Sequence, residues 1–584
     1  MERRKMSSAD IRTSNIAMLA ELFPTVVTEQ LDSDGKPVRA IDFDTLRQEL
    51  SESVVEGPME RHKLDWPGKR AALVAANAPI VKTLRPVREE SVNFDGTKNI
   101  FIEGDNLDVL KLLQESYLGK VKLIYIDPPY NTGHDLLYHD TFTQTGADYL
   151  ADSGQLDESG ARLIANTESN GRFHSDWLSM MLPRLKLARN LLSDDGLLCI
   201  SIDDTEQARL RMLCDQIFGA DMFLNQLVWH YGKMSNEQRR FANNHEYILV
   251  YGRSPESRLN TAIKKEDSEY RNRYINFLNE SNQVTYGAVK HKSDNLIDLR
   301  MRKVEKELDR PLVDSDVLFD FEHEFKRHSD TIYFPTIKGN ATERVPFGLG
   351  QKPVALLQFL VQAATTDESD FIVLDFFAGS GSTAEAVFRQ NGADGGNRSV
   401  VSVQLPEVCD PNSDAARAGF LTITELAKSR IRRSGERLLS DEVHPSWRQD
   451  IGFRVMKLDS TNLADVQRTP DALGQEELGL YTDSLRSGRT SEDLLFQVLL
   501  DWGLELTPQI TIEDFDGRDV FNVDDGALFA FFADAVSAAA IHKVASQKPL
   551  RAVFRDSSFA SDADRINAEQ IFAQVSPATD VRTI

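Results

Sequence analysis

A chain of 584 residues with 41% hydrophobic content is too long for one core and should hold about three or four structural units. Its net charge of −24 excludes a uniformly basic nucleic-acid binder, but not a local basic groove, because screening ends such interactions beyond about 8 to 10 Å. Three scattered cysteines, Cys199, Cys214 and Cys409, form no C-x-x-C pair, so neither a disulfide framework nor a structural metal is indicated and a reducing cytoplasm fits.

The N-terminal residues carry charge with no apolar core behind them, which argues against a secretory signal. The longest apolar run, 527–544, is interrupted by Asp534 and His542 and reads as a buried helix, not a membrane span. Residues 1–98 form a polar lead-in with helices expected over 11–22 and 43–51 and an extended connector from Pro86. A short strand over 99–103 ends in Gly104 and Asp105, and Leu107, Leu110, Leu112 and Leu113 then give a helical stripe.

The strand over 121–126 runs into Asp127, Pro128, Pro129 and Tyr130. Two successive prolines supply no N–H donors and restrict φ, so their carbonyls and the Asp127 carboxylate make a rigid set of acceptors. Such a set suits an exocyclic amino group with two N–H bonds, and Tyr130 offers a flat face for an everted base. A stiff turn with no chemistry is the competing reading.

Residues 134–170, polar and glycine-dotted, read as a mobile loop beside this strand end. A long amphipathic helix follows over 177–192, with Gly196 as its expected stop. A strand over 197–202, a helix over 204–218, and a hairpin of strands over 224–231 and 246–251 around a loop at 235–241 come next. Alternation of strand and helix predicts a mostly parallel, doubly wound α/β sheet with an antiparallel edge.

The texture changes at 255–340. Arg271, Arg273, Lys290, Lys292, Arg300 and Arg302 lie among Tyr270, Tyr274, Phe277 and Tyr286, a mixture able to neutralise phosphates, read base edges and stack. Glu305, Glu307, Asp309 and Asp314 follow closely, so a solvated helical insert of mixed charge explains the composition equally well.

A second informative stretch is the strand over 371–375 with the turn after it: Asp375, Phe376, Phe377, Ala378, Gly379, Ser380, Gly381, Ser382, Thr383. Glycines let backbone approach a ligand, and the following helix offers free N–H groups. A phosphate loop needs Lys after its last glycine, which Gly381 lacks, and a dinucleotide fingerprint needs a third glycine. Gln351, Lys352 and Pro353 open a helix upstream, and a strand over 400–405 contains Gln404. A basic helix is expected over 421–438. Beyond it come a strand over 452–458, a helix over 493–502 and a strand over 549–554.

Taken together, Asp127-Pro-Pro-Tyr130 and Phe377-Ala-Gly-Ser-Gly381 resemble the amino-group DNA methyltransferases that use S-adenosylmethionine, and their order resembles the permuted β class. The strings beginning at Phe101, Ile124 and Val553 resemble the modification subunit of Type III restriction-modification systems, over roughly residue 60 to the C-terminus. The resemblance implies a Rossmann-like methyltransferase sheet in circularly permuted motif order, with an inserted target-recognition domain and a C-terminal α+β domain. The implied divisions are 1–98, an extension; 99–254, the catalytic half; 255–340, target recognition; 341–440, the cofactor half; and 441–584, assembly.

It also implies roles. Asp127 and the Pro128 carbonyl, with Pro129 beside them, would accept the target amino group while Tyr130 stacks on the base. Asp375, Phe377, Ala378, Gly379, Ser380, Gly381 and Thr383 would hold the cofactor, with Lys352 near its carboxylate and Asp105 near its adenine. Where the family commonly places an acid for the ribose this chain has Gln404, with Glu407 three residues on, and the choice falls on Gln404. Asp at the first motif position leans to adenine N6 over cytosine N4. Duplex DNA, a second copy of the chain and a separate ATP-dependent restriction subunit (helicase/nuclease) are the implied partners, since this chain has no Walker loop. A catalytically silent specificity subunit, or a methyltransferase of RNA or of protein glutamine, stays open as an alternative.

Overall fold

The computed structural model describes residues 19–31, 37–51, 64–132, 173–231, 244–260, 283–292, 295–308, 310–320, 351–365, 370–463 and 485–584, with short pieces at 136–138, 163–165, 262–264, 277, 279, 325–327 and 331–334. Its centre is the apolar strand that precedes Asp127. Leu123 and Tyr125 of that strand enter one buried cluster and Ile124 and Ile126 the other. A strand buried on both faces is what a continuous apolar run flanked by turn residues dictates.

Ten strands share this sheet. In chain order they are β1 (Lys82–Pro86), β2 (Ile100–Glu103), β3 (Val121–Ile126), β4 (Leu192–Ile202), β5 (Phe223–His230), β6 (His245–Gly252), β7 (Thr331–Tyr333), β8 (Ile372–Asp375), β9 (Ser399–Gln404) and β10 (Arg454–Ser460). They lie in the order β7-β5-β6-β4-β3-β8-β9-β2-β10-β1. From β4 to β10 every neighbour is parallel. Then β6 runs antiparallel to β4 and to β5, and β1 antiparallel to β10. The late strands β8 and β9 are thus wedged between the early strands β3 and β2.

Helices cover both faces. On one, α1 (Asn106–Tyr117), α2 (Phe173–Leu191) and α3 (Gln207–Phe218) pack in the cluster containing Ile124. On the other, α4 (Val354–Ala364), α5 (Ser382–Asp394) and α6 (Ile423–Leu438) pack in the cluster containing Leu123. The sheet is therefore doubly wound and mostly parallel, as the alternation of elements predicts.

Three features depart from the sequence reading. Gly196 does not stop a helix: α2 ends at Leu191 and the chain passes directly into β4, which contains Gly196. A Cβ there would lie 2.8 Å from the Ser193 carbonyl and 3.0 Å from that of Val121, so the glycine lets β4 close against the start of β3. The apolar run 527–544 is not one helix but a strand, Leu528–Phe531, and a separate helix, Ala538–Ser546. A largely apolar run carries no clear period to tell the two apart. Finally, β1 comes from the expected N-terminal extension and β10 from the expected assembly domain. Without them β2 would be an open edge with unpaired backbone groups.

Beyond β10, five strands, Ile510–Asp514, Asp519–Val523, Leu528–Phe531, Arg551–Phe554 and Asp580–Thr583, form a second sheet in sequence order. Helices Ala538–Ser546 and Asp562–Val575 share its core, giving an α+β unit. Most of the helix at 11–22, the loop at 235–241 and much of 255–340 lie outside the described residues, as does 134–170 apart from one antiparallel pair, Leu136–Tyr138 with Leu163–Ala165. Among the described residues no helix is long and apolar enough to cross a membrane.

Candidate active site

The turn after β3 is fixed from two sides. Trp177, fully buried on α2, donates its indole N–H to the Pro129 carbonyl at 2.7 Å. Asn131 adopts a left-handed φ of 60° and donates its amide to buried Glu206 at 2.7 Å and to the Phe173 carbonyl at 3.1 Å. Glu206 also pairs with His174. Asn tolerates left-handed backbone better than most residues, and here the buried amide bonds hold it there.

Past the turn, the Asp127 carboxylate receives the Lys352 ammonium on both oxygens, at 2.8 and 2.9 Å. Lys352 stands at the approach to α4 and also lies 3.4 Å from Glu246 of β6. The Tyr130 hydroxyl donates to that same Glu246 oxygen at 2.9 Å. Burial raises the Asp127 carboxyl pKa, with Lys352 opposing the rise. Burial alone would lower the Lys352 pKa, but Asp127 and Glu246 more than offset it, so the side chain stays a cation. The Tyr130 phenol is pushed well up by burial and remains protonated.

The second half of the site grows from β8. Asp375 accepts the Phe377 backbone N–H at 3.0 Å and the Thr383 hydroxyl at 2.5 Å, which folds the glycine turn back over the strand end. Gly379 (φ 51°) and Gly381 (φ 76°) take backbone that side-chain-bearing residues avoid. Gln404, ending β9, accepts the Gly379 N–H at 2.7 Å. Arg430 of α6 donates to Ser380 and Ser382, both at 2.8 Å, and to Glu385 at 2.9 Å. The basic helix expected over 421–438 therefore turns Arg430 inward to brace the glycine turn, and Lys428 inward to Glu103 and Glu90.

One cleft of about 430 Å³ joins the two halves. Asp127, Pro128, Pro129, Tyr130, Lys352, Asp375, Phe377, Ala378, Gly379, Ser380, Thr383, Gln404 and Glu407 all line it. Gly381 stands just behind as the N-cap of α5, where a Cβ would meet Ile431 at 3.1 Å. Asp105 is not brought into the cleft. It caps α1 by accepting the Leu107 and Asp108 N–H groups and pairs with Arg184 at 3.3 Å, while its neighbour Asn106 holds the Phe376 carbonyl at 2.7 Å. Burial pushes the Asp375 and Glu407 carboxyls up to about 7 each.

Of the residues expected to meet DNA, Arg271 and Arg273 lie outside the described residues. Lys290 is paired with Asp314 at 2.7 Å, and Arg300 donates to the Leu318 carbonyl at 2.5 Å. Lys292 is exposed over the Phe277 ring at 3.9 Å, and Arg302 is exposed. Sequence reasoning missed Glu246, Trp177, Glu206 and Arg430. Only Trp177 carried a signal, a lone indole on a helix with a buried face; Arg430 is one of four arginines on its helix and nothing local set it apart.

A strand-end acid with two prolines, facing a glycine turn across an adjacent parallel strand, belongs to the DNA methylases that work on amino nitrogens. Residues 121–393 match the model of the N6/N4 methylase family, described as DNA methylase. The chain is 31% identical over 485 residues to the Type III restriction-modification enzyme StyLTI Mod subunit of Salmonella typhimurium, covering 75% of this chain and 74% of that one. It is 28% identical to the EcoP15I Mod subunit of Escherichia coli over 95% of both chains, and 30% identical to the EcoPI Mod subunit of Escherichia phage P1 over 77% and 78%. The chain belongs to the family of Type III restriction-modification Mod subunits, DNA methyltransferases of restriction-modification systems.

Proposed function

We propose that the cleft binds S-adenosylmethionine and that the chain methylates adenine N6 in duplex DNA. The observation that carries this reading is the shared cleft, in which an acceptor set for an amino group stands opposite a glycine turn bounded by two carboxyls. The volume suits a nucleoside-sized ligand. The glycine turn, with no side chains at 379 and 381, fits the close approach of a cofactor's amino-acid part. Bound there, the cofactor supplies a methyl group on a sulfonium, a carbon already activated toward an amine lone pair.

The chain's own residues then have definable tasks. Asp127 and the Pro128 carbonyl accept the two amino protons, drawing the nitrogen lone pair out of conjugation with the ring, and Asp127 takes up the proton that the methylated nitrogen releases. Tyr130 supplies the stacking face. Gln404 spends its amide oxygen on Gly379 and donates its amide N–H to Glu407 Oε1 at 3.3 Å, so we assign the ribose hydroxyls to the carboxylate of Glu407, which lines the cleft, in place of Gln404 as the sequence suggested. Gln404 holds the loop and Asp105 supports the turn through Asn106. Lys352, which the sequence placed near the cofactor's carboxylate, is held by Asp127 and lies beside Glu246.

We assign residues 255–340 to target recognition and the C-terminal α+β unit to assembly with a second copy and with an ATP-dependent restriction subunit, in the cytoplasm. The test is nucleoside mass spectrometry of DNA from cells carrying the gene, with sequencing of the modified positions. N6-methyladenine at one sequence is expected; N4-methylcytosine alone would overturn the choice of base.

A further inference from the structure

Lys352 holds both oxygens of Asp127, at 2.8 and 2.9 Å, and so competes with an incoming amino group for this acceptor. When the ammonium gives way, the described residues offer it one other carboxylate within ion-pair distance, that of Glu246 at 3.4 Å. Lys352 is only 7% exposed, so leaving it without a counter-charge would be costly. Two aromatic rings also lie near it, that of Tyr130 at 4.9 Å and that of Trp229 at 5.8 Å. Glu246 reaches this place because β6 pairs antiparallel with β4 beside β3, and it does not itself line the cleft.

We propose that Glu246 is a positioning residue for the transfer: it takes over the Lys352 ammonium when the target amino group displaces it from Asp127. This deepens the reading of the site given above and rests on it. A swing of the flexible lysine stem suffices, since Nζ already lies near both acids. Because the Tyr130 hydroxyl is held by the same Glu246 oxygen, one carboxylate governs both the stacking ring and the release of Asp127. In the substrate-free molecule the Lys352 to Asp127 pair keeps the acceptor occupied, and entry of the base and relocation of the ammonium become one event.

The isosteric variant Glu246→Gln keeps an acceptor for Tyr130 and removes only the charge. Its kcat is expected to fall about 30-fold, because the acceptor stays covered and the amine is misplaced, with cofactor and DNA affinities within about threefold of wild type. Duplexes carrying 2-aminopurine at the target base should brighten less on binding this variant, reporting a smaller everted population. Glu246→Asp, which retains the charge, should recover part of both signals. Adding Lys352→Met to Glu246→Gln should cost less than the product of the two single effects, since no ammonium is left to be relocated. An unchanged kcat for Glu246→Gln, multiplicative losses in the double variant, or a lost cofactor affinity that accounts for the whole effect would each overturn the inference. Thermal melts of each variant separate these outcomes from misfolding. A wild-type chain that moves no methyl to DNA would instead overturn the reading of the site itself, and this inference with it.

Discussion

Leu374 lies opposite Ile124 on neighbouring parallel strands, although about 250 positions separate the two along the chain. That register sets the carboxyl end of β8 beside that of β3, and strand ends on one side of an open parallel sheet are where such folds place ligands. Asp375 and Asp127 therefore face one cleft by virtue of backbone pairing, before any side chain is considered.

Removing the Asp127 carboxylate should separate binding from chemistry. Asp127→Ala is expected to lower kcat by about 10²- to 10³-fold, the size of effect typical for one aimed polar group at a reacting centre. Cofactor affinity should stay within about threefold, because Glu246 remains to balance Lys352. Single-turnover methyl transfer and equilibrium dialysis measure the two separately.

The two raised carboxyls predict a pH dependence. Asp375 and Glu407 hold their protons up to about 7 in the folded chain, whereas unfolded carboxyls release them near 4. Between these values the folded state binds more protons, so stability from each group is full below about pH 4 and is lost as pH rises through about 7. The slope is about 1.4 kcal/mol per pH unit and group. Urea unfolding at pH 5, 6 and 7 should show Glu407→Gln gaining on wild type as pH rises. Cofactor affinity should run the other way, improving through pH 7 as Glu407 becomes a better acceptor for hydroxyls.

Trp177→Phe probes the brace beneath the proline turn. The change strands the Pro129 carbonyl and leaves a gap in a fully buried site, so a stability loss of about 2 to 3 kcal/mol is expected. Because Pro129 adjoins the acceptor set, kcat should drop as well, by about tenfold. Denaturant titration and steady-state transfer test both.

Much of this site could be read from the chain. The run from Val121 to Ile126 had to be a buried strand, and a strand that meets two prolines has to stop, so Asp127 was placed correctly at a strand end. Glycines at 379 and 381 likewise announced a tight turn. Glu246 was illegible because its role depends on which strand lies beside which, and nothing local in the sequence fixes that β6 returns next to β4. The hydrogen bond from Gly379 to Gln404 was also invisible, because it depends on how the glycine turn folds back over β9. The split of 527–544 was missed because Asp534 was read as an interruption within one helix and not as the break between two elements.

The expected DNA contacts can be sorted by two alanine variants. Arg300 spends its Nε on the Leu318 carbonyl, so Arg300→Ala should lower stability and leave the salt dependence of DNA binding nearly unchanged. Arg302 is exposed. If it meets a phosphate, Arg302→Ala should weaken binding to all sequences alike and reduce the salt slope by about one. Fluorescence anisotropy across a salt series, with melts alongside, distinguishes the pair.

The central claim is that two remote strand ends form a single transfer site, and labelled methyl transfer tests it most directly. Wild-type chain incubated with methyl-labelled S-adenosylmethionine and duplex DNA should place the label on adenine N6. Asp127→Ala should cut the product by about 10²- to 10³-fold with cofactor still bound, and Asp375→Ala should lose product and cofactor binding together. Label that reaches DNA undiminished in either variant would contradict the claim.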